Sequence, residues 1–107
     1  MSPWIALFFA TIAQEAEPPP SAIDMEEGKA LYRKNCTACH GTDGRGDTPM
    51  GRAIPNMPDF TSAVVKQMTD QELFDMITKG SPPMPSFQHL SEAQRWDLVK
   101  YIRTFSQ

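Results

Sequence analysis

The stretch that decides the reading is Asn35-Cys36-Thr37-Ala38-Cys39-His40-Gly41. It holds both cysteines of the chain and one of its two histidines. Four chemistries compete for two thiols and an imidazole packed this closely. A disulfide between Cys36 and Cys39 would close a very small loop and leave His40 unexplained. A structural zinc site asks for about four ligands, and His89 is the one further good N or S donor in the chain. A thioredoxin-like redox pair asks for a βαβ pattern, and no segment alternates as a strand does. The fourth chemistry is covalent attachment of haem, for which C-x-x-C-H is the recognised pattern. Thiols three residues apart on one helical turn can each add to a vinyl group on the same edge of a porphyrin. The next residue then offers its imidazole to the iron.

The surroundings favour the fourth chemistry. At 107 residues the chain makes at most one domain. Three helices are legible. The first starts near Asp24, with Glu27 placed to complete a capping box, and runs into Cys36. The second starts at Thr69 with Glu72 as its partner and stops at Lys79-Gly80. The third starts at Ser91 with Gln94 as partner, and Trp96, Leu98, Val99 and Ile102 recur at helical spacing. Between them, residues 41–62 read as a long loop, and SPPMPSF (81–87) cannot be helical because its prolines fix φ and remove donors. Loops of this length inside a small domain need something to wrap. Three short helices bury too little to offset a chain-ordering cost of about 1–2 kcal/mol per residue. A flat apolar macrocycle meets both demands, so the expectation is an all-α fold of three main helices and long loops around one covalently bound haem.

A second axial ligand is expected from the seven methionines. Met84 is the choice, because it lies far enough beyond His40 to pass round the haem and because Pro83 and Pro85 stiffen its loop. Met57, in PNMP, and His89 are the alternatives. Neutral thioether ligation opposite histidine raises the iron potential. Further expectations concern the residues around the ligands. The Pro55 carbonyl takes the second ring N–H of His40, Arg52 pairs with a haem propionate, and Tyr32 and Trp96 line the pocket.

Residues 1–24 read differently from residues 25–107. The run WIALFFATIA (4–13) would span roughly 15 Å as a helix, half of the roughly 30 Å hydrocarbon core, so it reads as a secretory leader or a contact arm. A Pro-rich, acidic linker follows, expected to have no means of packing. From Met25 onward acidic and basic residues balance at ten each, and the excess of acid lies before it. No basic block points to nucleic acid.

Residues 25–107 resemble the class I, monohaem cytochromes c with His/Met ligation. The resemblance rests on Gly28 and Tyr32 in the first helix, CTACHG, GSPPMPSF, and the ending LSEAQRWDLVKYIRTF. It is similar in wording to small bacterial carriers and to cytochrome subunits of oxidases and dehydrogenases. The resemblance implies the cytochrome c fold, with Gly28 letting the first helix cross the last closely. It also implies a single-electron carrier rather than an enzyme, with redox-protein partners and no small-molecule substrate. The place implied is the periplasm or the outer face of the cytoplasmic membrane. Two other roles are compatible with the same residues: a haem subunit fixed in a larger membrane complex, and a sensor or peroxidase-like protein with a labile sixth ligand.

Overall fold

A computed structural model describes residues 17–107, so the apolar run at 4–13 lies outside the described residues. Six α-helices are present among the described residues: α1 (Met25–Asn35), α2 (Thr37–His40), α3 (Pro49–Arg52), α4 (Ala63–Gln67), α5 (Asp70–Lys79) and α6 (Glu92–Arg103). Short 3-10 turns flank them at Pro20–Ala22 and Thr104–Ser106. No strand occurs among the described residues, only an isolated bridge between Ser81 and Met84.

The three long helices begin and end where the sequence places them. Thr69 and Ser91 form complete capping boxes with Glu72 and Gln94. Asp24 differs: its carboxylate accepts from the Glu27 N–H, but its own N–H donates to Asp97 Oδ1 at 2.9 Å on the last helix. Glu27 is thereby released from the box and accepts from Gln94 Nε2 at 3.1 Å. A tertiary contact has replaced a local one.

These bonds accompany a close crossing of α1 over α6. A Cβ added at Gly28 would stand 2.3 Å from the Asp97 carbonyl oxygen and 3.2 Å from Tyr101 Cβ. Only hydrogen fits there, as the resemblance implies. Below the crossing, Tyr32, Trp96, Leu98 and Val99 are buried completely or almost so. Trp96 stacks on Phe74 with centroids 4.4 Å apart, joining α6 to α5.

Two further expectations fail. The 41–62 loop contains a helical turn, α3, capped by Thr48 and opened by Pro49. The linker, expected not to pack, lies against the domain from Glu17 onward. Lys100 Nζ reaches Glu17 at 2.5 Å and Asp70 at 2.6 Å, and Ile23 packs on the core. Arg103 completes this cluster with Nε donating to Asp70 at 2.6 Å and Nη1 to the Val65 carbonyl at 2.8 Å. Burial alone would raise the Asp70 pKa; the bonds from Lys100 and Arg103 outweigh it and hold the carboxylate below its ordinary range.

Candidate functional site

Cys36 caps the end of α1, and α2 takes up the next four residues, so the attachment stretch is one tight helical corner. Loop 41–62 is stapled to this corner. Thr48 Oγ1 lies 2.8 Å from the Ala38 carbonyl and 3.1 Å from the Cys39 carbonyl, while Gly46 N–H donates to the His40 carbonyl at 2.8 Å. Tyr32 Oη donates to the Gly41 carbonyl at 2.6 Å, anchoring the corner to α1.

The corner forms one wall of a cavity. Cys36 and His40 meet Pro58 and Phe60 from the loop, Leu73, Met76 and Ile77 from α5, Met84 and Phe87 from the 80–87 loop, and Leu98 and Ile102 from α6. The cavity is about 50 Å³ in volume and opens to solvent at its mouth. Apart from the thiol and the imidazole, the lining is hydrocarbon, thioether and aromatic ring. His40 stacks on Phe60 with centroids 4.5 Å apart.

The electrostatics follow from this setting. Burial lowers the His40 pKa to about 4, so the ring is neutral at physiological pH and keeps a lone pair for a metal. Its Nδ1 is buried with no hydrogen-bond partner among the described residues. Burial, reinforced by Cys39, raises the Cys36 thiol to about 12. No disulfide joins Cys36 and Cys39. Among the described residues no three His, Cys, Asp or Glu side chains gather as a metal cage, which leaves zinc without its set.

The residues expected at the site divide. Cys36, His40 and Met84 share the cavity wall, and Cys39 sits partly buried in the same corner. The others lie elsewhere. Tyr32 and Trp96 fill the interface of the long helices, where neighbouring aromatic rings claim them, and neither lines the cavity. Arg52 is exposed and ion-paired with Asp47, a partner five residues away that sequence order supplies at once. Pro55 is exposed and its carbonyl makes no bond to His40 Nδ1. Met57 packs against Gly46 and His89 is exposed beside Phe87, both outside the lining. Met76 of α5, with no role at the site expected from the sequence, also lines the cavity and is 41 % exposed. Phe60 and Phe87 were not singled out either; an aromatic in a Pro-rich loop is the signal they offered.

An apolar cavity with a neutral imidazole and a thioether in one lining beside a thiol suits a flat, mostly apolar ring with a central iron. The soft, uncharged donor set matches low-spin iron better than a hard cation. Fold and cavity thus define a small c-type cytochrome. Comparison with known proteins sharpens the class: the family model described as "Cytochrome C oxidase, cbb3-type, subunit III" matches residues 23–102, and the chain belongs to that family. It is 30 % identical over 84 residues to the cytochrome bc1 complex cytochrome c subunit of Corynebacterium diphtheriae, covering 76 % of this chain and 27 % of that protein. It is also 30 % identical over 97 residues to a thiosulfate dehydrogenase of Allochromatium vinosum, covering 88 % of this chain and 34 % of the relative. The chain therefore spans only about a third or less of these two relatives. Among solved structures, the c-type cytochrome KustC0563 superposes with a TM-score of 0.65 at 28 % identity, over 75 % of this chain and 98 % of that one. As a member of this family, the protein carries covalently bound haem c.

Proposed function

We propose that Cys36 and Cys39 hold the haem through thioethers, that His40 and Met84 are the axial ligands, and that residues 25–107 form the cytochrome domain. When bound, the haem supplies a one-electron ferric/ferrous couple. The reading as a haem electron carrier is supported by His40 and Met84, far apart in sequence, lining one apolar cavity with Cys36. The protein residues do the rest. The helical corner fixes His40, the 80–87 loop holds Met84, and the hydrocarbon lining excludes water, so little rearranges as charge changes. With both axial positions taken by side chains, no substrate is bound and the protein is not an enzyme. The dehydrogenase activity named for one relative stays with that longer protein.

Its partners are redox proteins met at the attachment corner. Ala38 is exposed there, and Met50, 57 % exposed, sits on α3, which packs on α2. A patch this small suits transient encounters, whose interfaces bury under about 1,200 Å². The place of action is the periplasm or the outer face of the cytoplasmic membrane; no helix among the described residues is long and apolar enough to span a bilayer. A second reading, a haem module fixed in a membrane oxidoreductase, draws support from the family description and from the bc1-complex relative.

The test is spectroscopic. Denatured protein in alkaline pyridine should give a haemochrome spectrum with saturated thioether links, and acid–acetone should extract no haem. The ferric protein should show the red-edge iron–sulfur band, and Met84→Ala should lose it. A band that survives in Met84→Ala moves the sixth ligand elsewhere.

A further inference from the structure

Met84 sits in a loop, and the means by which that loop is held are visible. Its tip is closed by two backbone bonds: Ser81 N–H donates to the Met84 carbonyl at 3.0 Å and Met84 N–H to the Ser81 carbonyl at 2.7 Å. Its returning limb is tied to the last turn of α5. Phe87 N–H donates to the Ile77 carbonyl at 3.0 Å, and Ser86 Oγ donates to the Thr78 carbonyl at 2.7 Å. Both acceptors belong to a helix end, where carbonyls lack intrahelical partners. At Gly80 (φ 73°) an added Cβ would lie 2.7 Å from Ser86 N and from the Pro85 carbonyl carbon, so only glycine lets limb and helix meet.

Thr78 links this junction to α6. Its hydroxyl donates to the Phe74 carbonyl at 2.8 Å and accepts from Arg95 Nη1 at 2.7 Å. The Arg95 guanidinium lies over the Phe74 ring, 5.0 Å from its centroid. Its Nε is buried without a partner among the described residues, so Thr78 is the hydrogen-bond acceptor that places it. A continuous run therefore leads from Arg95 on α6 through Thr78 to Ser86, two places beyond Met84.

We infer that Arg95, Thr78 and Ser86 form a strap that positions the Met84 sulfur and sets how readily its loop lifts from the cavity. The inference rests on Met84 being the sixth ligand. A competing ligand binds only when the loop is lifted, so its apparent affinity scales with the lifted fraction. Losing a charge-assisted hydrogen bond corresponds to about tenfold to hundredfold in that equilibrium; losing a neutral one, to about twofold to tenfold.

The experiment uses the haem-loaded ferric full chain and titrates imidazole against the iron–sulfur band, with a urea midpoint measured in parallel. Arg95→Met, which keeps the stem over Phe74, and Thr78→Val should each bind imidazole about tenfold or more tightly than the parent. Ser86→Ala, at an exposed site that puts folding at little risk, should do so about twofold to tenfold. Thr78→Ser, which restores the hydroxyl, should return to within about twofold of the parent. Unchanged imidazole affinity in Arg95→Met or in Ser86→Ala, whatever the urea midpoint does, overturns the strap. If the band persists in Met84→Ala, the ligand assignment fails and the strap with it. If that variant loses the band while the imidazole midpoints stay flat, the strap alone fails.

Discussion

Where α1 crosses α6, backbone meets backbone at Gly28 and Asp97, and the aromatic rings of Tyr32, Tyr101 and Phe105 pack within about 5.5 Å of one another. Across the molecule, the loops are held by single hydrogen bonds, such as Phe60 N–H to the Gly44 carbonyl and Thr48 to the α2 corner for residues 41–62, and Ser86 to the Thr78 carbonyl for residues 80–87. Pro58, Phe60, Met84 and Phe87 from these loops line the cavity. The helical side is packed against itself, as native cores are. The loop side faces the place the haem takes, and its stability is linked to that occupancy, because a group that binds only the folded state stabilises it by mass action. The difference explains how so small a chain holds long loops in order.

The widest separation between the two sides comes from removing the haem link. In Cys36→Ser/Cys39→Ser, amide hydrogen exchange should accelerate strongly in residues 41–62 and 80–87, while α1 and α6 retain the greater part of their remaining protection. Equal loss across both sides would mean that the helical crossing also depends on the haem. The converse variant is Gly28→Ala. Overpacking costs about 3 kcal/mol, the better helix propensity of alanine returns about 1, and the net loss should be about 2 kcal/mol in urea unfolding with the haem spectrum retained. A loss below about 0.5 kcal/mol would show that the helices slide apart freely.

A smaller effect should come from the Asp70 cluster, which ties α4, α5, α6 and the linker together. Asp70→Asn should cost about 1–2 kcal/mol near neutral pH, from two charge-assisted bonds. The folded-state pKa of Asp70 is depressed, so its contribution is complete above the ordinary carboxylate range and is lost as pH falls below the usual 3.8 through the folded value. The stability gap between parent and variant should therefore close in acid. A gap that is constant from neutral pH to below 3 would assign the loss to packing instead. Asp97 runs the other way. Burial raises its pKa despite the bond from Asp24, so its contribution is complete in acid and fades as pH rises through the folded value.

Local chemistry alone was enough for much of this. Thr69 with Glu72, and Ser91 with Gln94, set helix starts within four residues, and Lys79-Gly80 set a stop, because capping is satisfied by neighbours in the chain. The spacing of Cys36, Cys39 and His40 points by itself to haem attachment, and the prolines flanking Met84 single it out among seven methionines as the proposed sixth ligand. Tertiary contacts decided the rest. Asp24 spends its N–H on a carboxylate 73 positions away, Trp96 turns to Phe74 rather than to the cavity, and Arg52 goes to Asp47 rather than to the site. Phe60 becomes the stacking partner of His40, and Arg95 reaches Thr78. Composition and spacing fix which groups a segment can offer. Which partner each group takes depends on what the folded chain brings within about 3 Å for a hydrogen bond or 4–4.5 Å for packing, and no short stretch of sequence contains that distance.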